Sequence, residues 1–84
     1  MGWVNKVSAA AETVEVDARG LECPMPLLKA KRALNAMAAG QVLRVLATDK
    51  GSVRDFRVFT EQSGHVLLSS EESEGVYTHL LQKS

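Results

Sequence analysis

The chain has 84 residues but only one cysteine, Cys23, and it has no long apolar run. A single cysteine cannot close an internal disulfide or form a Cys-x-x-Cys pair, and its isolation favours a reducing compartment. No apolar run approaches the ~20 residues that a membrane-spanning helix needs, and the first residues do not resemble a secretory signal. We therefore expect a cytoplasmic protein that does not cross a membrane.

The chain also lacks an excess of positive or negative charge, because ten Lys and Arg residues balance ten Asp and Glu residues. Proteins that bind nucleic acid usually carry a basic excess, so the balance makes nucleic acid an unexpected partner. The two histidines, His65 and His79, stand far apart and belong to no cluster of metal ligands. We expect neither a metal ion nor another cofactor.

The length allows one hydrophobic core and hence one domain, which we place at residues 12–84. Residues 1–11 have no clear pattern and are predicted to form an N-terminal arm. Trp3 either docks this arm on the domain or belongs to a disordered terminus. Nothing in the pattern requires more than a monomer.

Hydrophobic periodicity predicts six elements in the order β-α-β-α-β-β. The strands are predicted at 12–17, 41–48, 65–70 and 76–82, and the helices at 24–38 and from a turn at 49–52 to residue 63. An acidic turn at 71–75 should join the last two strands as a hairpin. The first two strands should run parallel through a right-handed crossover. Two helices on one face of a four-stranded mixed sheet make a two-layer α+β sandwich.

Spacing also predicts which side chains of the helices face the core. For the first helix these are Leu27, Ala30, Leu34, Met37 and Ala38. For the second helix they are Val53, Phe56, Phe59 and Thr60, with Asp49 or Ser52 as the capping residue.

Cys23 lies directly before Pro24, between a glycine turn at Gly20 and the predicted first helix. The N-terminus of a helix presents free N–H groups and the positive end of the helix dipole, and both favour a thiolate. The alternative is a small buried hydrophobe. Neither Pro24 nor Pro26 is expected to be needed for packing, so the position favours a presented, reactive thiol.

The partners of this thiol limit its chemistry. A cysteine hydrolase needs a base, but His65 and His79 are predicted to be sheet-surface side chains. A dithiol mechanism needs a second cysteine, which the chain lacks. A lone activated thiol suits a carrier that accepts a group from one protein and passes it to another.

The segment Gly20-Leu21-Glu22-Cys23-Pro24-Met25-Pro26 resembles the Cys-Pro-x-Pro signature of the TusA-like (SirA/YedF/YeeD) sulfur-carrier proteins. The similarity covers roughly residues 12–83. It implies a sulfurtransferase-type carrier that holds sulfur as a persulfide on Cys23, with no cofactor. The donor would be a cysteine desulfurase or a rhodanese-type protein, and an acceptor protein would serve tRNA thiolation, molybdenum cofactor maturation or other sulfur trafficking.

The same resemblance suggests roles for further residues. Pro24 and Pro26 would hold the turn at the cysteine, and Asp17 and Gly20 would shape the approach to it. Three more positions match residues near the cysteine end of the family fold and are candidates for partner docking: Asp49, Arg54 and Asp55.

Helix geometry predicts a docking patch beside the thiol. Met25 and Leu28 point away from the predicted core, next to Lys29 and Arg32. Exposed apolar side chains bordered by cations suit an acidic partner surface. The alternative is that Leu28 packs against the second helix or the arm and that the charges only solvate the helix.

A second functional class remains open, a non-enzymatic regulatory module that binds RNA or the ribosome. The predicted two-layer architecture resembles a ribosome-binding domain of a translation initiation factor. The balanced charge and the lack of interleaved basic and aromatic residues argue against this alternative.

Overall fold

The structure is a computed structural model that describes residues 13–84. The arm predicted at residues 1–11 lies outside the described residues. The elements, in chain order, are β1 (Val14–Ala18), α1 (Met25–Asn35), β2 (Val42–Ala47), α2 (Gly51–Ser63), β3 (Val66–Ser73) and β4 (Val76–Gln82). The predicted order of elements is confirmed. No helix in this part of the chain has the length and apolar character needed to cross a membrane.

The strands form one mixed sheet in the order β1-β2-β4-β3. β1 runs parallel to β2, in a register that pairs Val14 with Leu43 and Ala18 with Ala47. β4 runs antiparallel to both of its neighbours, β2 and β3. A parallel pair needs a long crossover, which α1 supplies, whereas β3 and β4 need only a tight turn. The predicted α+β sandwich with a mixed four-stranded sheet is confirmed.

The core lies between the sheet and the two helices. Its fully buried members come from every layer: Ala18, Ala30, Leu34, Leu43, Val45, Phe56 and Leu81. Burying a leucine or phenylalanine side chain stabilises a fold by roughly 1.5–3 kcal/mol, so these few residues carry much of the stability of a small domain. The predicted core faces of β2 and α2 are confirmed at Leu43, Val45 and Phe56.

The first helix is shorter than the predicted 24–38, because α1 ends at Asn35. The N–H groups of Ala36 and Met37 bond carbonyls only three residues back, so the chain tightens and leaves the α-helix. The N–H of Ala38 then bonds the side-chain oxygen of Gln41 at 2.8 Å. The prediction that Ala38 faces the core is therefore wrong, since this residue is exposed.

The hairpin turn is also shorter than predicted. β3 continues through residues assigned to the acidic turn and ends at Ser73, with Glu72 paired to Tyr77 of β4. β3 is an edge strand whose acidic side chains face water, where charges are tolerated. The turn itself consists of Glu74 and Gly75, which have φ angles of 52° and 82°. Two left-handed residues give a turn whose twist matches that of the strands.

The capping of α2 differs from the prediction. The N-cap position is Lys50, and no side chain among residues 13–84 caps this helix. Asp49 contributes its backbone carbonyl, which accepts a bond from the N–H of Ser52 at 3.1 Å. The hydroxyl of Ser52 is turned inward and buried. The prediction of Asp49 or Ser52 as a cap is therefore wrong.

His79 is fully buried, which corrects its prediction as a sheet-surface residue. The alternation along β4 places it on the same side as Leu81, facing the helices. Its Nε2 lies 2.9 Å from Ser52 Oγ, and its Nδ1 lies 2.8 Å from Ser70 Oγ. A hydroxyl can donate or accept, so the two serines satisfy both ring nitrogens of a neutral imidazole. Burial lowers the pKa of His79 and keeps it in that form.

Candidate functional site

Cys23 lies in the loop between β1 and α1 and is exposed. The loop leaves β1 through Gly20, whose φ of +82° is the left-handed conformation that glycine adopts readily. The N–H of Gly20 donates to Thr48 Oγ1 at 2.8 Å, which fixes the turn to the end of β2. The predicted glycine turn is thus present. It carries the cysteine across the ends of the two parallel strands.

The two prolines after the cysteine differ in their surroundings. Pro24 occupies the N-cap position of α1, follows Cys23 through a cis peptide bond, and is exposed. Its carbonyl accepts the N–H of Leu28 at 3.0 Å and so begins the helix. Pro26 is fully buried beneath the loop. The expectation that neither proline is needed for packing is wrong for Pro26, which anchors the first turn of α1 in the interior.

The thiol of Cys23 donates a hydrogen bond to the carboxylate of Asp55, with Sγ and Oδ2 2.6 Å apart. Asp55 lies on α2, 32 residues further along the chain. This bond, partial desolvation, and the negative charges of Asp55 and Asp49 all raise the pKa of Cys23. A nearby anion disfavours the thiolate. In this structure the neighbouring carboxylates therefore act against the effect predicted for the helix N-terminus, and the pKa of Cys23 is raised.

Asp17 stabilises the turn before the cysteine by binding Arg19. Two side-chain nitrogens of Arg19 bond the two carboxylate oxygens at 2.9 and 2.8 Å, and its backbone N–H bonds Oδ1 at 3.1 Å. These bonds lower the pKa of Asp17 to about 2. Asp17 therefore bonds the turn rather than the thiol, and its effect on the approach to Cys23 stays a prediction.

The side chains predicted to form a docking patch lie together on α1. Met25 and Leu28 are 44% and 42% exposed, and Lys29 and Arg32 are exposed as well. Positions three, four and seven apart share one face of a helix. We call these four residues the α1 face. Leu28 keeps 42% of its surface exposed, which argues against close packing on α2, and the alternative in which it packs against the arm lies outside the described residues.

A groove of about 340 Å³ lies between the two helices. Its lining includes Leu27 and Lys31 from α1 and Arg54, Asp55, Val58 and Phe59 from α2. Asp55 therefore contacts both the groove and the thiol. Arg54 and Asp55 were predicted as docking residues, but Lys31 was not. Its Nζ lies 5.5 Å from the centre of the Phe59 ring. The signal that could have predicted the groove was Val58, an exposed apolar residue of α2 outside the predicted core-facing residues of that helix.

Neither histidine is placed to act as a base for Cys23 in the described chain. Both ring nitrogens of His79 bond serine hydroxyls, and His65 Nδ1 accepts the N–H of Ser84 at 3.0 Å. Residues 13–84 contain no group of three His, Cys, Asp or Glu side chains that could hold a metal ion. The described site is thus an exposed thiol with a carboxylate neighbour, which can form and break bonds to sulfur.

Comparison with known proteins identifies relatives of this chain. Residues 14–83 match the family model described as sulfurtransferase TusA. The sulfur carrier protein TusA of Allochromatium vinosum is 54% identical over 70 residues, which cover 83% of this chain and 92% of that protein. A putative sulfur carrier protein of Neisseria meningitidis serogroup A is 52% identical over 67 residues, which cover 80% of this chain and 90% of that protein.

A solved structure shows the same fold. The SirA-like protein of Desulfitobacterium hafniense aligns with a TM-score of 0.73 at 30% identity, over 84% of this chain and 95% of that chain. The family match spans nearly all the residues that the structure describes, including the cysteine loop and both helices. The chain belongs to the sulfurtransferase TusA family.

Proposed function

We propose that this chain is a sulfur carrier that accepts sulfane sulfur on Cys23 as a persulfide and passes it to an acceptor protein. The observation that carries the proposal is the exposed thiol of Cys23, held at the tip of a fixed turn. Membership of the sulfurtransferase TusA family and relatives named as sulfur carriers support it. The chain offers no second cysteine that would divert the sulfur into an internal disulfide.

The transfer needs only one thiol on the carrier. The sulfur of Cys23, as thiolate, attacks the outer sulfur of a persulfide on the donor protein. A new S–S bond forms to Cys23, the S–S bond within the donor breaks, and the donor cysteine leaves as a thiolate that takes up a proton. An acceptor thiolate then attacks the outer sulfur on Cys23 in the same way. No oxidant or reductant is consumed.

The donor in this proposal is a cysteine desulfurase or a rhodanese-type protein, and the acceptor belongs to a sulfur-trafficking route such as tRNA thiolation or molybdenum cofactor maturation. The α1 face begins two residues after Cys23, so a partner bound there meets the thiol directly. Its apolar residues and two cations suit an apolar, acidic partner surface. The proposed carrier acts in the cytoplasm as a monomer.

Mass measurement tests the proposal directly. The protein is incubated with a cysteine desulfurase and free cysteine, and separately with a rhodanese-type donor and its sulfur source. We expect a species heavier by one sulfur atom that reductant reverses and that the Cys23→Ser variant does not form. If neither type of donor produces this adduct on the folded protein, the proposal is wrong.

A further inference from the structure

Two carboxylates from different parts of the fold act on the Cys23 thiol. Asp55 reaches it from α2 through the 2.6 Å bond, and the charge of Asp49, in the loop before α2, acts in the same direction. Both side chains are partly buried, which limits screening by water. Among residues 13–84, the titratable groups that act on the sulfur are therefore anionic.

In the free protein these carboxylates disfavour the thiolate that the proposed sulfur transfer needs. The thiolate is the nucleophile in sulfur transfer, and a carboxylate that accepts the thiol proton stabilises the protonated form instead. A carrier with this site reacts slowly with any electrophile it meets by chance. Transfer then requires an event that neutralises the carboxylate or moves it away from the sulfur.

Asp55 is accessible for such an event. It is only partly buried, and it lines the groove between α1 and α2 as well as bonding the thiol. The cations Lys31 and Arg54 also line this groove, but neither forms an ion pair with Asp55 among the described residues, so the carboxylate is open to a partner's lysine or arginine side chain beside the sulfur. An ion pair formed there would compete with the Cys23 bond and would favour the thiolate.

We infer that Asp55, supported by Asp49, holds Cys23 as a protonated, closed thiol in the free carrier, and that a partner opens it by presenting a cationic side chain to Asp55. The identity of this partner as a sulfur donor rests on the proposed function. On opening, the proton leaves Cys23 for solvent, and the donor thiolate released by the transfer takes up a proton in turn. Electrons and protons balance without a further reactant.

The first experiment measures the thiol in the absence of any donor. Thiolate absorbance and the rate of alkylation by iodoacetamide are followed against pH for the unmodified protein, Asp55→Asn and Asp49→Asn. Glu61→Gln is the control, because it removes one negative charge from an exposed position about two turns further along α2. Circular dichroism confirms that each variant is folded.

We expect the titration midpoint to fall by about one pH unit in Asp55→Asn, by less in Asp49→Asn, and not in Glu61→Gln. One unit raises the thiolate fraction at neutral pH about tenfold. Because a less basic thiolate is a weaker nucleophile, alkylation should accelerate only about threefold. An unchanged midpoint in folded Asp55→Asn would overturn the inference.

The second experiment tests the charge that opens the site. Methanethiosulfonates that carry either a trimethylammonium or a sulfonate group react with Cys23 by releasing methanesulfinate, so their rates compare a cation with an anion at the same sulfur. We expect the cationic reagent to react about fivefold faster or more at low salt. This preference should decrease strongly in Asp55→Asn and persist in Glu61→Gln. Equal preference in the unmodified protein and Asp55→Asn would refute a role for Asp55 in selecting a cation.

Neither experiment uses a sulfur donor, so the two proposals fail separately. A titration midpoint that does not depend on Asp55, combined with normal persulfide loading, removes the closed-thiol inference and leaves the carrier function. If the titration midpoint and the reagent preference of Cys23 change in Asp55→Asn as expected but no donor forms an adduct, the carrier function is wrong and the closed-thiol inference stands.

Discussion

Ser52 and His79 join α2 to the sheet through a buried hydrogen bond of 2.9 Å between Ser52 Oγ and His79 Nε2. Ser52 lies in the first turn of α2, three residues before Asp55. The bond therefore fixes the end of the helix from which Asp55 reaches Cys23. A polar contact inside the core supports the geometry of the thiol at the surface.

Replacing Ser52 by alanine should destabilise the protein by about 1–3 kcal/mol, because it leaves a buried ring nitrogen of His79 without its partner. Urea denaturation measures the change in the free energy of unfolding. The control is Ser73→Ala, which removes an exposed hydroxyl from β3. Equal stability of the two variants would contradict the prediction.

Stability should decrease as pH falls below about 6.5, because burial lowers the pKa of His79 below its ordinary value of 6.5. Below this pH the imidazole of His79 binds a proton in the unfolded chain but stays neutral in the folded chain. Its contribution to the free energy of unfolding is therefore fully present above this pH and declines below it by at most about 1.4 kcal/mol per pH unit. Denaturation at several pH values measures the slope. Asp17, with its pKa lowered to about 2, contributes in the same direction only below its ordinary value of 3.8.

Nuclear magnetic resonance of the His79 ring provides the check on this assignment. The ring should stay neutral at pH values where the unfolded chain is protonated. A His79 ring that titrates at its ordinary pKa would show that another group causes the slope.

Reversing charge on the α1 face, with Lys29→Glu and Arg32→Glu together, should slow sulfur loading several-fold and leave the fold intact. Both side chains are exposed, so the change alters attraction to an acidic partner rather than packing. The rate of persulfide formation measures the effect for each donor. Arg57→Glu with Lys83→Glu makes the same change in net charge away from this face. Unchanged loading by every donor would exclude the α1 face as a docking site.

Gly20→Ala should destabilise the protein by about 1 kcal/mol, because a φ of +82° is strained for a residue with a side chain. Nothing lies within 4 Å of the position that a Cβ would take, so strain and not collision causes the loss. Gly75→Ala is a matched control, with the same φ in the β3–β4 turn. Both variants should lose stability in urea, but only Gly20→Ala should alter the alkylation rate of Cys23.

The helices and strands could be predicted from the sequence because each has a local pattern of residues. β4 occupies the predicted 76–82. The ends of α1 and β3 could not be predicted, since they depend on hydrogen bonds to residues outside these elements. Gln41 satisfies the N–H of Ala38 beyond the helix, and β4 pairs with acidic residues that composition assigned to a turn.

The site was predictable only in part for the same reason. The turn, the helix start and the exposed cysteine follow from neighbours in sequence. The carboxylate beside the sulfur comes from 32 residues away, and its effect on the thiol opposes that of the helix end. The burial of His79 needed two serines, one from α2 and one from β3, whose meeting depends on the whole fold.

The bond between Cys23 and Asp55 also makes the thiol a reporter of folding. Cys23 is exposed in the folded chain, so unfolding does not uncover it. Unfolding does separate it from Asp55, and the pKa of Cys23 then returns from its raised value toward the ordinary 9.0. The contribution of this bond to the stability of the folded state is accordingly present below pH 9 and is lost as pH rises further. A neutral alkylating reagent should thus label the unfolded chain faster than the folded one, although Cys23 is exposed in the folded chain too.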